Sequence, residues 1–140
     1  MGRILAIDYG RKRVGLAVTD ELQIIATALG TVHAADVVTY LKRYLKDHEV
    51  ECFVVGEPRT MGNRPSEAEN FIAPFLKTLR KNFPGIRIER HDERFTSRMA
   101  SRAILESGVK KSDRQNKALI DTVSATLILQ SYLDAQEMKR

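Results

Sequence analysis

The chain has one cysteine, no tryptophan, three histidines and four prolines in 140 residues. A single cysteine excludes an intramolecular disulfide framework and any multi-cysteine zinc site, and Cys52 lies in an apolar run, Cys52-Phe53-Val54-Val55, that reads as core. His33, His48 and His91 show no metal-ligand spacing. No apolar stretch approaches the ~18 residues of a membrane span. The run Ile4, Leu5, Ala6, Ile7 begins too soon after Met1 for a cleaved signal peptide, and the start Met-Gly-Arg-Ile-Leu-Ala lacks the hydroxyl residue of a myristoylation signal. The expectation is a protein of a reducing compartment, the cytoplasm, with no membrane partner.

What is present is ordinary for a globular protein: 43% hydrophobic and 29% charged residues with eight glycines. The length suits one domain over residues 1–140, since a domain commonly takes ~100–200 residues. The net charge of +5 is uneven. Residues 77–117 carry 12 Lys and Arg against 5 Asp and Glu, a net of +7, whereas the remainder carries 11 against 13. A concentrated positive field attracts polyanions, so nucleic acid leads as partner class, ahead of anionic membrane, with a merely solvated surface as the bland alternative.

Hydrophobic patterning predicts a strand ending on Asp8, a basic turn through Arg11-Lys12-Arg13, a second strand at 14–18 and a third at 24–32. Val37, Val38, Leu41, Tyr44 and Leu45 space a helix over 35–49, and a buried strand follows at 52–55. Ser66 and Glu69 form a capping box before a helix with Phe71, Ile72, Phe75, Leu76 and Leu79 inward, in which Pro74 demands a kink or a late start. A last strand at 86–89 precedes one helix capped at Thr96 or Ser97 and ending at Gly108, then another capped by Ser112 and running to about residue 133. A hairpin followed by alternating helices and strands implies an α/β domain with a mixed sheet and helices on both faces.

Carboxylates at three places in the chain attract attention. Asp8 closes a strand at its C-terminal end, where ligands gather in α/β sheets, and Gly10 follows two positions later. Asp92 and Glu93 come directly after the predicted last strand, beside Arg94, Arg98 and Arg102 at i+4 spacing, a phosphate path along one helix face. Asp121 lies inside the final helix among Leu119, Ile120 and Val123, too far from the cap for the helix dipole to account for it, while small Ser124 and Ala125 permit close approach to the sheet. Carboxylates converging from separate elements repel unless cations sit among them, and hard oxygen ligands suit Mg2+ or Mn2+. Two such ions ~3.5–4 Å apart could clamp a scissile phosphate. Glu57 ends a buried strand but also begins a Pro/Gly loop, so it stands open between a fourth ligand and an ordinary exposed residue.

Four segments, Ile7-Asp8-Tyr9-Gly10-Arg11-Lys12-Arg13-Val14-Gly15-Leu16-Ala17, Val54-Val55-Gly56-Glu57-Pro58, Asp92-Glu93-Arg94-Phe95-Thr96-Ser97 and Ile120-Asp121-Thr122-Val123-Ser124-Ala125, closely resemble the bacterial YqgF/RuvX family. The similarity runs in order over residues 3–133. It implies a ribonuclease H-like fold, a five-stranded mixed sheet flanked by helices, and Asp8, Glu93 and Asp121 as an acidic triad for divalent metal. It further implies nuclease activity on structured nucleic acid, with pre-16S rRNA ahead of a DNA Holliday junction. Two residues depart from the family pattern, Glu57 where an apolar residue is more usual and Ser124 where alanine is.

On this basis Arg11, Lys12, Arg13, Arg94, Arg98, Arg102, Lys110 and Lys111 are candidate phosphate contacts, which position a substrate without reading its sequence. A non-catalytic ribosome-assembly factor is the competing class. An actin-like sugar kinase, which shares the Asp-x-Gly pattern, needs two lobes where this length supplies one. Symmetric junction cleavage would call for a homodimer; trimming one rRNA strand would not.

Overall fold

The computed structural model describes residues 2–58, 67–92 and 117–138, with side chains in the last segment from 123 to 137. Five strands form one sheet in the order β3-β2-β1-β4-β5. They are β1 (Arg3–Tyr9), β2 (Arg13–Thr19), β3 (Ala26–His33), β4 (Val50–Glu57) and β5 (Arg87–Asp92). The hairpins β1–β2 and β2–β3 are antiparallel, whereas β4 joins β1 and β5 joins β4 in parallel. The mixed sheet thus has the expected strand number. Helix α1 (Val37–Asp47) carries the chain from β3 to β4, and α2 (Glu69–Asn82) carries it from β4 to β5. Helix α3 (Lys117–Met138) covers the opposite face, lying over β1, β2 and β3.

Alternation along the strands makes two cores. Leu5, Ile7, Phe53 and Val55 point to one side and pack with Val37 and Leu41 of α1 and Ile72, Phe75, Leu76 and Leu79 of α2. Ile4, Ala6, Ala17, Cys52 and Val54 point to the other and meet Ala125, Ile128, Leu129 and Tyr132 of α3. Each fully buried Leu or Ile contributes roughly 1.5–3 kcal/mol by leaving water. Cys52 is core, as expected, and burial pushes its thiol pKa up, which keeps it protonated and inert.

Several boundaries differ from the sequence-based ones. The predicted helix over 35–49 begins as a 3-10 turn, Ala34–Asp36, in which His33 Nδ1 accepts from the Ala35 amide at 3.1 Å. The α-helix proper starts at Val37. The third strand begins at Ala26, because Asp20 organises the preceding turn: its Oδ1 accepts from the amides of Ile24 at 2.7 Å and Ile25 at 3.1 Å. Pro74 neither delays nor ends α2, which starts five residues before it; Pro74 and Asn70, whose carbonyl loses its helical partner, are both exposed to water. No side chain caps α2 at Ala68, and Ser66 lies outside the described residues, as do the helix expected from Thr96 to Gly108 and the Ser112 cap. The final helix extends to Met138. None of the described helices is long and apolar enough to cross a membrane.

The Asp20 turn yields a test. The Ile24 amide foremost, then that of Ile25, hold the Asp20 carboxyl below its ordinary 3.8. A depressed folded-state pKa contributes stability that is complete above the unfolded value and is lost as pH falls through the folded one. Asp20→Ala is therefore expected to lower the thermal midpoint at neutral pH, with the gap to wild type narrowing below about pH 4. Thermal melts between pH 2.5 and 7 read this; a gap independent of pH would count against the assigned hydrogen bonds.

Candidate active site at the strand ends

The C-terminal ends of the parallel strands β1, β4 and β5 lie side by side. Ile7 registers with Val55, Val55 with Arg90, Gly56 with His91 and Glu57 with Asp92. Asp8, the next residue of β1, therefore reaches the level of Gly56. It shares the α3 face with Ile4 and Ala6 and is half-buried. Across the hairpin its partner is Gly15. Asp8 thus stands between two glycines, and neither neighbouring strand places a side chain beside it. The sequence gives Gly15 and Gly56 no site role by themselves; it is the strand register that brings them beside Asp8.

Helix α3 runs antiparallel to β1. Tyr132 donates a hydrogen bond to Glu89, and Leu133 and Gln136 line a cavity of about 240 Å³ with Ile4, Leu22 and Arg87 at the start of the parallel strands. The other end of the helix consequently points to the Asp8 edge. From Tyr132 back to Asp121 the helix rises ~16 Å, against ~13 Å from Ile4 to Asp8 along β1. Asp121 belongs to the backbone of this helix, and its side chain lies outside the described ones. Ser124 and Ala125 are both buried, in keeping with a close approach. Glu93 follows the last residue of β5 and lies outside the described residues. Of the three acids, only Asp8 has a described side chain, and among the described residues no cluster of three ligating side chains forms.

Glu57 goes elsewhere. With Phe53 and Val55 it occupies the α2 face, opposite Asp8, where its carboxylate lies 3.9 Å from Arg90. Arg90 also makes a bidentate pair with Glu69 of α2, at 2.5 and 3.3 Å, and donates to the carbonyls of Val55 at 3.3 Å and Gly56 at 3.1 Å. It ties the start of α2 to the end of β4. The last strand is longer than expected, so Asp92 is its final residue and falls on this same α2 face. His91 is on the α3 face, its Nε2 2.8 Å from Ser131 Oγ, and burial lowers its pKa.

Among the basic candidates, Arg11 and Lys12 are exposed at the tip of the β1–β2 turn and Arg13 opens β2 half-buried. Arg94, Arg98, Arg102, Lys110 and Lys111 lie outside the described residues.

Comparison with known proteins finds relatives over nearly the whole chain. The family model RuvX, described as Holliday junction resolvase, matches residues 2–135. A Porphyromonas gingivalis protein named "Putative pre-16S rRNA nuclease" is 56% identical over 134 residues, 96% of this chain and 97% of that one. A Phocaeicola vulgatus protein of the same name is 53% identical over 137 residues, 98% of this chain and 99% of that one. Among solved structures, Thermus thermophilus RuvC in complex with a Holliday junction substrate aligns with a TM-score of 0.57 at 18% identity, covering 99% of this chain and 97% of that one. That likeness establishes the ribonuclease H-like fold, with its five-stranded mixed sheet between helices. With the family model matching residues 2–135 and relatives more than half identical over nearly the whole chain, the chain belongs to the RuvX family.

Proposed function

We propose that this protein is a divalent-metal-dependent endonuclease of the cytoplasm that hydrolyses phosphodiester bonds in structured nucleic acid, with the 5′ end of pre-16S rRNA as its substrate. The observation that carries the reading is Asp8, held at a parallel strand end between Gly15 and Gly56, in a chain of a family whose relatives are named as rRNA nucleases. Asp8, Glu93 and Asp121 would hold Mg2+ or Mn2+; a carboxylate set without His or Cys fits those ions. The chemistry supplied by one or two such ions when bound is activation of water and neutralisation of charge on a phosphate.

The chain's own residues do the rest. Gly15 and Gly56 flank Asp8 on the two neighbouring strands, and the sheet fixes the carboxylate's backbone on both sides. Arg11, Lys12 and Arg13, with Arg94, Arg98, Arg102, Lys110 and Lys111, hold the nucleic-acid backbone. Glu57 on the opposite face has a structural part, with Arg90.

A second reading, cleavage of DNA Holliday junctions, is favoured by the family's description as resolvases. It would require a homodimer to cut two strands symmetrically. The experiment is cleavage of a labelled pre-16S 5′ leader and of a four-way DNA junction at matched salt, with and without Mn2+. Metal-dependent cutting of the leader alone supports the proposal, cutting of the junction alone transfers it to DNA, and binding of either without cutting makes the protein an assembly factor.

A further inference from the structure

Residues of the β1–β2 turn and of α2 meet on the face of the sheet away from α3. Tyr9 stacks on Phe75 with ring centroids 4.0 Å apart and planes at 14°, and its ring lies 6.1 Å from that of Phe71. The guanidinium carbon of Arg11 sits 5.3 Å above the Phe71 centroid, within the ~6 Å over which an aromatic face attracts a cation. Arg11 is exposed, and among the described residues no carboxylate pairs with it. The backbone that carries it is pinned on both sides. The Gly10 amide donates to the Arg13 carbonyl at 2.9 Å, and the Ala34 amide donates to the Lys12 carbonyl at 2.9 Å. A Cβ at Gly10 would stand 2.6 Å from the Arg13 oxygen, so this closure of the turn requires glycine.

An arginine held against a ring has lost rotamer freedom before a ligand arrives, and ordering of this kind is what weakens binding by a loose side chain. Contact through one face leaves the in-plane N–H groups for two phosphate oxygens. We infer that Phe71, with Tyr9 and Phe75 behind it, is a positioning residue that presents Arg11 as a preformed phosphate clamp. A substrate strand then passes from the Asp8 edge over the β1–β2 turn towards α2. This deepens the nucleic-acid reading above and rests on it. It also separates Arg11 from the other basic candidates, as the described one that an aromatic stack holds in place.

The test is binding of a fluorescein-labelled pre-16S leader RNA by fluorescence anisotropy across a salt series, with every variant made in an Asp8→Asn background so that nothing is cut. Arg11→Gln is expected to weaken binding about 3- to 10-fold and to reduce the salt slope by about 1. Phe71→Leu, which keeps an apolar side chain against α2's neighbours, is expected to lose a large share of the same affinity, and Phe71→Tyr to retain it. The double variant Arg11→Gln/Phe71→Leu should bind no more weakly than Arg11→Gln alone. Circular dichroism checks folding, and Phe71→Met serves if Phe71→Leu unfolds. Undiminished binding by Phe71→Leu, or a loss that adds fully to that of Arg11→Gln, overturns the clamp while leaving the nuclease reading intact. Failure of the Asp8→Asn parent to bind the RNA overturns both.

Discussion

Replacing Asp8 by Asn is expected to lower the single-turnover cleavage rate by at least ~100-fold while the variant still folds and binds nucleic acid. The substitution keeps the shape of the side chain and removes its charge, at a position flanked by Gly15 and Gly56 where no neighbouring strand can supply a substitute. Loss of a residue that merely orients a metal ligand typically costs 10–100-fold, so loss of a ligand itself should cost at least the upper part of that range. Binding should persist, because the proposed phosphate contacts are the cations of the basic turn and of the basic segment at 77–117, which the substitution leaves in place. Single-turnover cleavage in Mn2+ together with anisotropy separates the two effects. A variant that cuts at the wild-type rate would remove Asp8 from the site.

The largest effect on stability away from the apolar cores is expected at Arg90. Its guanidinium joins β5 to Glu69 at the start of α2 and to the carbonyls of Val55 and Gly56 at the end of β4, with 22% of the side chain exposed. Arg90→Met keeps the aliphatic stem and removes all of these bonds. Hydrogen bonds to charged groups contribute roughly 1.5–3 kcal/mol each. Partial exposure and the chance for Glu69 to turn to water reduce the sum, so the expected loss is ~2–4 kcal/mol. Urea unfolding of Arg90→Met, Glu69→Gln and the double variant provides the check. The double variant should fall well short of the sum of the single losses, and full additivity would contradict a shared network.

Much of this was legible in the sequence because two patterns were clean. The short apolar runs Ile4–Ile7 and Val14–Val18 and the 3.6-residue stripe of α1 mark those elements, and the end of the first run marks Asp8. The final strand was cut short at 89 because its second half, Arg90-His91-Asp92, is polar throughout. Those side chains are tolerated on an edge strand because Arg90 and His91 each find a partner on a covering helix, Glu69 on α2 and Ser131 on α3. Such pairing is long-range and leaves no local signal. The same holds for Glu57, whose placement on the α2 face depends on the register of β4 against β1, and for Phe71, which looked like one more apolar residue of a helix until the turn brought Arg11 over it. A late start of α2 does not occur because Pro74 sits on the exposed side of the helix, which the sequence alone does not reveal.

Asp8, Glu93 and Asp121 are proposed to act as one metal site. This proposal is tested most directly by isothermal titration of Mn2+ into wild type and into Asp8→Asn, Glu93→Gln and Asp121→Asn, in the absence of nucleic acid. A saturable Mn2+ site is expected in the wild-type protein, weakened by at least ~10-fold by each single substitution. Wild-type Mn2+ affinity in any one of the three variants would take that residue out of the site, and wild-type affinity in all three would contradict the acidic triad altogether.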